Sequence, residues 1–165
     1  MSIQLIVLDV DGTMTNGQIG YTQNGDEIKY FNVKDGLAIK SWMQLGKEVA
    51  IITGRSSDMV ARRAKELTIQ HCYQGVKDKL ALLEKITAHL GIGLDSVASI
   101  GDDLNDYRML KASKIAFVPK DASRYLETIA DVVLTQKGGE GAIREMIEYL
   151  ITKEGLEEKF LKIWK

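Results

Sequence analysis

Two groups of aspartates are the residues best suited to chemistry in this sequence. Asp9 and Asp11 follow the apolar run 3–8, and a second acidic group begins at Asp102, after the apolar run 97–100. Because open α/β sheets bind ligands at the carboxyl ends of their strands, we expect both groups at one edge of a sheet. Two carboxylates about 4 Å apart repel by roughly 4 kcal/mol at an effective dielectric near 20. The pattern predicts a metal site, and such an oxygen-rich pocket suits Mg²⁺.

An Asp-x-Asp pair by itself is weak support for this site, because aspartates are also common in turns and at helix starts. Thr53 strengthens the prediction, since it ends the apolar run 49–53, where a hydroxyl group and turn amides can hold an anion. Lys79 lies near the start of a helix expected to begin near Val76, where its charge opposes the helix dipole. This placement indicates a function, although an exposed surface lysine is an equally good interpretation.

Composition and charge describe an ordinary globular chain. The 165 residues carry a formal net charge of −1, with 45% hydrophobic and 27% charged residues, enough for one domain with a sizeable core. The near-neutral charge argues against a nucleic-acid partner, and the short apolar run 3–8 argues against a membrane span. The only cysteine, Cys72, excludes an intrachain disulfide. We expect a cytoplasmic protein with no nucleic-acid or membrane partner.

Short apolar runs alternate with helical patterns along the chain. Leu80, Leu83, Ile86 and Leu90, for example, recur at intervals of three to four residues, as on one face of a helix. Such alternation predicts right-handed crossovers. The fold class is therefore α/β, a Rossmann-like, mostly parallel sheet with helices on both faces. The expected strands are Ile3–Leu8, Val49–Thr53, Ile69–Tyr73, Val97–Ile100, Ile115–Val118 and Val132–Leu134.

One segment interrupts this alternation. An Asn-Gly pair, Asn24 and Gly25, separates two β-prone arms within residues 17–31, which predicts a β-hairpin inserted after the first aspartates. A two-stranded hairpin is marginal alone in water, so we expect it to pack on something, such as another subunit. We assign residues 1–152 to one domain and residues 153–165 to an amphipathic C-terminal tail that is docked.

The motifs, taken in chain order, resemble those of the haloacid dehalogenase superfamily of phosphatases. They are Asp-x-Asp-Gly-Thr from Asp9, Thr-Gly-Arg from Thr53, Lys79, and Gly-Asp-Asp-x-x-Asp from Gly101. The hairpin, Phe-Asn-Val-Lys-Asp-Gly at 31–36, Tyr-Gln-Gly at 73–75 and the segment 138–145 are similar to one family within it. That family is the 3-deoxy-D-manno-octulosonate 8-phosphate phosphatases, and the resemblance covers about residues 3 to 150.

This resemblance implies a reaction and a set of residue roles. Asp9 would be the nucleophile that forms an aspartyl-phosphate, and Asp11 would give and then take the proton. Mg²⁺ would be held by the Asp9 carboxylate, the Asp11 backbone carbonyl and Asp102. Thr53 would bind the transferring phosphoryl group, and Lys79 would neutralise Asp9 and the phosphate. The activity implied is that of a phosphoric monoester hydrolase in lipopolysaccharide precursor biosynthesis.

The resemblance also implies a substrate site and an assembly. The implied substrate is a keto-acid sugar phosphate. Members of this family lack a separate cap domain. They are homotetramers in which a neighbouring subunit helps close each active site. Arg55 and Arg63 are the candidates for binding the carboxylate of the substrate. The residues expected to bind substrate are Asp11, Asn32, Val33, Lys34, Asp35, Gly36, Gly54, Arg55, Arg63, Lys79 and Asn105.

Three points stay open at this level. Asp103 and Asp106 either orient the metal site or cap the helix that follows. The substrate is either the eight-carbon sugar phosphate or a related nine-carbon one. A third hypothesis is a non-catalytic tetrameric partner of a sugar-nucleotide transferase, which would require a broken motif, and none of the four motifs is broken.

Overall fold

The computed structural model describes residues 2–165, and their main feature is a six-stranded parallel sheet. The strand order is β5-β4-β1-β6-β7-β8, so β1 lies near the middle with β4 and β6 as its neighbours. A separate antiparallel pair, β2 and β3, forms the hairpin. The strands are β1 Leu5–Leu8, β2 Gly20–Tyr21, β3 Glu27–Ile28, β4 Glu48–Ile52, β5 His71–Tyr73, β6 Val97–Ile100, β7 Ile115–Val118 and β8 Val132–Val133.

Helices follow the strands and cover both faces of the sheet. Short 3₁₀ turns precede β6, at Leu94–Ser96, and follow it, at Leu104–Asp106. This arrangement confirms the predicted Rossmann-like fold, and residues 2–165 contain no separate cap domain. The helices are α1 Val33–Gln44, α2 Asp58–Leu67, α3 Lys79–Leu90, α4 Tyr107–Ala112, α5 Arg124–Glu127, α6 Ala142–Lys153 and α7 Glu157–Lys162.

The central strand is buried on both faces, which explains its continuous apolar sequence. Ile6 and Leu8 point into the larger core cluster, and Leu5 and Val7 point into the second cluster on the opposite face. Successive side chains of a strand alternate between faces, so a run of four apolar residues serves both cores. Burial of the whole strand fixes its carboxyl end, where Asp9 follows.

Two predicted strands begin later than expected because other contacts use their first residues. Ile3 donates its backbone N–H to the Glu154 carboxylate at 2.5 Å, outside the sheet. Ile69 donates its N–H to the Ala64 carbonyl at 2.9 Å, which closes the end of α2. The helix expected near Val76 also begins later, at Lys79, because the Asp78 carboxylate accepts from the Ala81 N–H and caps it.

The hairpin lies where the sequence predicts it, although its paired strands are short. Gly20 pairs with Ile28, and Tyr21 pairs with Glu27. The turn contains Gly25 with φ +85°, a conformation that glycine adopts without steric cost. Only four residues form the ladder, so contacts outside the hairpin must help to hold it.

The segment after α6 packs back onto the same chain. Leu156 and Phe160 lie against the larger core cluster. Glu154 accepts from Ser2 and lies 3.3 Å from the Nζ of Lys47, which joins this segment to the amino-terminal end of the sheet. Of the helices in residues 2–165, none is long and apolar enough to cross a membrane.

Candidate functional site

The two groups of aspartates meet at the carboxyl end of the sheet. Asp9 directly follows β1, and Asp102 follows β6 after one glycine, Gly101. The strand order reverses between these neighbouring strands, because the chain proceeds from β1 to one side and returns to β6 on the other. Such a reversal opens a crevice at the strand ends, where α/β folds bind ligands. The predicted convergence of these carboxylates is therefore present.

Lys79 occupies the interior of this site. Its Nζ lies 2.6 Å from Oδ1 of Asp9 and 2.5 Å from Oδ1 of Asp106. All three side chains are almost excluded from solvent. A buried ammonium is stable only with such partners, so two carboxylates explain why a lysine is tolerated in the first turn of α3.

Asp106 links Lys79 to the backbone of the second acidic motif. Its Oδ2 accepts from the N–H of Asp102 at 3.0 Å and from the N–H of Asp103 at 3.3 Å. Asp103 accepts from the N–H of Leu104 at 2.8 Å, so these two aspartates form a capping box around the 3₁₀ turn. Asp103 thus caps, while Asp106 both caps and holds Lys79.

Burial changes the acidity of the clustered carboxyl groups. It raises the pKa of Asp9 to about 7, against the opposing effect of the Lys79 charge. Burial also raises the pKa of Asp102 and that of Asp106, each to about 6. For Lys79, burial acts to lower the pKa, but the charges of Asp9 and Asp106 outweigh it, and the pKa is raised. Three carboxyl groups thus share the site with one ammonium, and the charge of Asp102 adds to burial in raising the pKa of Asp9, as the charge of Asp9 does for Asp106.

The chemistry of this cluster fits a divalent cation. Asp9, Asp102 and Asp106 each place a carboxylate oxygen within 4.8 Å of the others. Both oxygens of Asp106 already accept hydrogen bonds, from Lys79 and from the Asp102 and Asp103 amides, so Asp9 and Asp102 are the carboxylates left to bind an ion. Thr13 donates to Oδ1 of Asp102 at 3.3 Å and orients it. Such hard oxygen donors suit Mg²⁺.

Two glycines allow the loops of the site to approach closely. Gly12 has φ +92°, and a Cβ there would lie 2.0 Å from Oδ2 of Asp102. A Cβ on Gly138 would lie 1.8 Å from the carbonyl oxygen of Gly12. The nearby Gly139 N–H donates to the carbonyl of Thr13 at 3.0 Å. The 138–139 loop therefore supports the loop that follows Asp9 from behind.

Asp11 lies at the mouth of the site and has a partner that the sequence did not reveal. The Nζ of Lys29, from the residue after β3, forms an ion pair with Oδ1 of Asp11. The same ammonium lies 3.7 Å from Oε1 of Glu27. The hairpin thus contacts the first acidic motif directly, through a lysine with a buried side chain.

A small pocket brings several of the predicted residues together. It has a volume of about 300 Å³. Thr53 is buried at its wall, after β4, whereas Arg55 is half-exposed at the rim with Nη2 3.5 Å from Glu27. The pocket is lined by Asp9, Asp11, Thr53, Gly54, Arg55, Asp102, Asp103 and Asn105.

Other predicted substrate residues lie outside this pocket. Asn32, Val33 and Lys34 line a separate concavity of about 470 Å³, together with Gly139 and Glu140. They are the residues that begin α1, where the side chain of Asn32 caps the helix.

Asp35 and Gly36 belong to the first turn of α1, and Arg63 of α2 packs against that turn. Asp35 is buried and accepts from the N–H of Arg144 at 2.8 Å. Arg63 packs against Gly36, where a Cβ would lie 2.4 Å from its Nη2, and its Nη2 donates to the Asn32 carbonyl at 3.4 Å. Within one chain these three residues support the second concavity from below, and do not line either cavity.

Sequence reasoning missed Lys29, and it left the part played by Asp106 open. One feature of the sequence could have indicated Lys29, because it stands between the β-prone residues Ile28 and Tyr30. Successive side chains of a strand point to opposite faces, so Lys29 faces away from these two neighbours. Ile28 and Tyr30 are exposed, and Lys29 is buried. The contact of Asp106 with Lys79 has no local signal, because it joins residues from two different strand–helix units.

Comparison with known proteins shows strong similarity to one group of phosphatases. A family model of haloacid dehalogenase-like hydrolases matches residues 74–147. The 3-deoxy-D-manno-octulosonate 8-phosphate phosphatase of Escherichia coli strain K12 is 39% identical over 154 residues, which cover 93% of this chain and 82% of the relative.

Solved structures agree with this similarity. The phosphatase of that name from Moraxella catarrhalis, crystallised with magnesium ion, phosphate ion and KDO, matches with a TM-score of 0.95 and 40% identity. The match covers 99% of this chain and 94% of that one. A cobalt-bound form from Haemophilus influenzae matches with a TM-score of 0.89 and 36% identity, over 93% of this chain and 90% of that one.

Proposed function

Because the chain belongs to the 3-deoxy-D-manno-octulosonate 8-phosphate phosphatase family of the haloacid dehalogenase superfamily, and is a phosphoric monoester hydrolase, we propose that it hydrolyses 3-deoxy-D-manno-octulosonate 8-phosphate to the free sugar acid and phosphate. The observation that carries the proposal is the meeting of Asp9, Asp102 and Lys79 beside a pocket that Thr53 also lines. The printed substrate of the relatives supports the choice of sugar phosphate.

In the first half of the proposed reaction, a carboxylate oxygen of Asp9 attacks phosphorus as the bond from phosphorus to the sugar oxygen breaks. The product is an aspartyl-phosphate, and Asp11 gives its proton to the departing sugar oxygen. Thr53 binds the transferring phosphoryl group at the pocket wall. Lys79, held 2.6 Å from Asp9, keeps positive charge beside the nucleophile.

In the second half, water attacks the phosphorus of the aspartyl-phosphate and the carboxylate of Asp9 is restored. Asp11, which is now ionised, takes the proton from that water, so the same group serves both halves. Its position at the solvent-facing mouth of the site, with a side chain 21% exposed, supports access to both the sugar oxygen and water.

The metal that we propose for this site is Mg²⁺, held by the carboxylates of Asp9 and Asp102 and the backbone carbonyl of Asp11. When bound, it supplies positive charge that offsets the carboxylates and the phosphate. Burial raises the pKa of Asp9 to about 7 and that of Asp102 to about 6, which disfavours their ionised forms. This supports the assignment, because a bound cation would favour the ionised carboxylates that the reaction needs.

We propose that the sugar and its carboxylate are bound at the rim of the site. Arg55 supports this role, since its guanidinium is half-exposed beside the pocket. Gly54 and Asn105 line the same pocket, and Asn32, Val33 and Lys34 line the concavity at the start of α1. We propose that Asp35, Gly36 and Arg63 contribute to substrate binding by supporting that concavity.

We also propose a homotetramer in which the hairpins meet. Apolar and aromatic side chains on and near the hairpin support this assembly, because Tyr21, Tyr30 and Val33 are 64%, 74% and 81% exposed in the single chain. The proposed location is the cytoplasm, and the pathway is lipopolysaccharide precursor biosynthesis. The absence of a second cysteine in the sequence, and the unpaired thiol of Cys72, support a reducing compartment.

The experiment that tests the function is a panel of sugar phosphates assayed with Mg²⁺ for phosphate release. We expect the eight-carbon keto-acid phosphate to have the highest kcat/KM. Higher turnover of the nine-carbon analogue would support the alternative substrate. Equal turnover of unrelated sugar phosphates would overturn the assignment of a specific substrate. No phosphate release from any of them would favour the non-catalytic partner.

A further inference from the structure

We propose that Lys29 is the positioning residue of Asp11. It fixes where the Asp11 carboxylate stands at the mouth of the pocket, and it affects the reaction only through that carboxylate. The inference rests on the proposed function, since it takes Asp11 as the group that gives the proton to the departing sugar oxygen.

The geometry shows which member of the pair is fixed. The side chain of Lys29 has no exposed surface, and that of Asp11 is 21% exposed. The ammonium contacts Oδ1 of Asp11 and lies 3.7 Å from Oε1 of Glu27. That Glu27 oxygen is buried and has no hydrogen-bond partner among the described residues, whereas Oε2 of Glu27 lies 3.5 Å from Arg55. A buried cation thus reaches outward to a carboxylate that borders solvent, and holds its orientation.

A structural role for the hairpin alone does not require a lysine at this position. Ile28 and Tyr30, on either side, are exposed, so Lys29 is the residue that turns inward. Withdrawing an ammonium from water costs several kcal/mol unless charged partners compensate, and an apolar side chain would fill the same space without that cost. The charge of Lys29 is therefore explained by its two carboxylate partners, Glu27 and Asp11.

The choice of leaving group distinguishes the positioning of Asp11 from a purely structural role of Lys29. As the bond from phosphorus to oxygen breaks, the proton passes from Asp11 to the sugar alkoxide, and Lys29 neither gives nor takes a proton. An alkoxide is a poor leaving group and needs that proton, whereas 4-nitrophenolate departs without it. A misplaced Asp11 should therefore slow cleavage of the sugar phosphate far more than cleavage of 4-nitrophenyl phosphate.

The test compares Lys29→Met with the wild-type protein on both esters. The ratio kcat/KM reports the steps up to departure of the alcohol, so it isolates the transfer that needs the proton. We expect a loss of about a hundredfold for the sugar phosphate, within the range of general acid catalysis, and a loss of no more than about threefold for 4-nitrophenyl phosphate. Lys29→Arg, which retains the charge, should recover part of the loss.

A second measurement uses Asp11→Asn with and without Lys29→Met. If Lys29 acts through Asp11, the double variant should match Asp11→Asn on the sugar phosphate within about twofold. Multiplicative losses would overturn the proposal. So would equal losses of Lys29→Met on the two esters, because that result describes a general structural or substrate-binding role.

Lys47→Met is the matched control. Lys47 is also a nearly buried lysine paired with a carboxylate, Glu154, but it lies at the opposite end of the sheet. Its loss should lower stability and leave the ratio of the two kcat/KM values unchanged. If Lys29→Met does not fold, Lys29→Gln carries the same comparison. A wild-type protein inactive on every phosphate ester would refute the proposed function, whereas an active wild type with an unchanged ratio in the variant would refute only the role of Lys29.

Discussion

The side chains of Lys79 and Asp9 meet inside the protein, with Nζ 2.6 Å from Oδ1, although the residues lie 70 positions apart in the sequence. The pair connects the end of β1 to the first turn of α3. Because both side chains are nearly excluded from solvent, removing either one leaves the other with an uncompensated charge or a shifted protonation state. The proposed nucleophile and the stability of the fold are coupled through this contact.

Lys79→Met should therefore destabilise the protein as well as inactivate it. We expect a loss of about 3 kcal/mol in the free energy of unfolding, since Asp9 and Asp106 both lose their buried cation. Urea denaturation without added metal measures this loss. Lys77→Met, which changes an exposed lysine two residues earlier, is the control and should stay near wild type. A Lys79→Met protein as stable as that control would contradict the prediction.

Asp9→Asn should abolish turnover but leave the chain folded, because it removes the negative charge, keeps the shape of the side chain and leaves Asp106 as a partner of Lys79. We expect kcat to fall by at least about a thousandfold, as for other nucleophile substitutions. Phosphate release measures the loss of turnover, and circular dichroism measures whether the fold is kept. The exposed hairpin residue Asp26, changed to Asn, provides a variant that should remain active. Substantial activity in Asp9→Asn would rule out the covalent route.

Added Mg²⁺ should raise the Tm of the wild-type protein, because the ion binds the folded site. A concentration of about one hundred times Kd contributes about 2.7 kcal/mol. Asp102→Asn should abolish most of this shift. Asp103→Asn should keep it, since among the described residues the Asp103 side chain accepts only from the N–H of Leu104, at the start of the following turn. Thermal unfolding with and without Mg²⁺ distinguishes the two variants, and equal shifts in both would argue against Asp102 as a ligand.

Gly138→Ala should disturb the site from behind. The new Cβ would lie 1.8 Å from the carbonyl oxygen of Gly12, so one of the two loops must move. We expect a destabilisation of about 1–3 kcal/mol, as for other overpacked sites, together with a loss of kcat/KM. Gly20→Ala is the control, because its nearest contact, the Cβ of Ile28, lies at 3.4 Å. Unchanged kinetics in Gly138→Ala would show that the loop behind Gly12 does not position the site.

Asp35 predicts a dependence of stability on pH. Burial raises its pKa from 3.8 to about 6 in the folded protein. Because the folded value lies above the unfolded one, the stabilising contribution of protonated Asp35 is complete below about pH 4 and is lost as the pH rises through about 6. The difference in unfolding free energy between wild type and Asp35→Asn should shift by up to about 3 kcal/mol in favour of the variant from pH 4 to pH 8. Urea denaturation at several pH values measures it, and a constant difference would contradict the prediction.

The parts of the fold and site that follow local patterns could be predicted from the sequence. Val97–Ile100 and Ile115–Val118 are strands with the predicted bounds, since each is a short, mostly apolar run that is buried throughout. Asp9 and Asp102 could be placed together because parallel strands bring their carboxyl ends to one edge. These inferences depend on the periodicity of apolar residues and on the direction of the strands, and both follow from residues that are neighbours in the sequence.

The contacts between distant segments could not be predicted in this way. The ion pair of Lys29 with Asp11 depends on how the hairpin folds back over the sheet, and the contact of Lys79 with Asp106 depends on two separate crossovers. The apolar pattern that includes Val76 predicts too early a start for α3, because the Asp78 cap decides where helical hydrogen bonding begins. Side-chain capping outweighed periodicity at that position.

The loop at Gly138 and Gly139 also bears on the order in which the enzyme is made. The segment from Asp9 to Asn16 leaves the ribosome well before Gly138 and Gly139, whose backbone packs against it. Folding during synthesis proceeds from the amino-terminal side. A nascent chain that has emerged only as far as β7 already carries every residue of the acidic cluster, yet it lacks the support behind Gly12. Hydrolytic competence should thus arise only after residues 138–139 have emerged and packed behind Gly12.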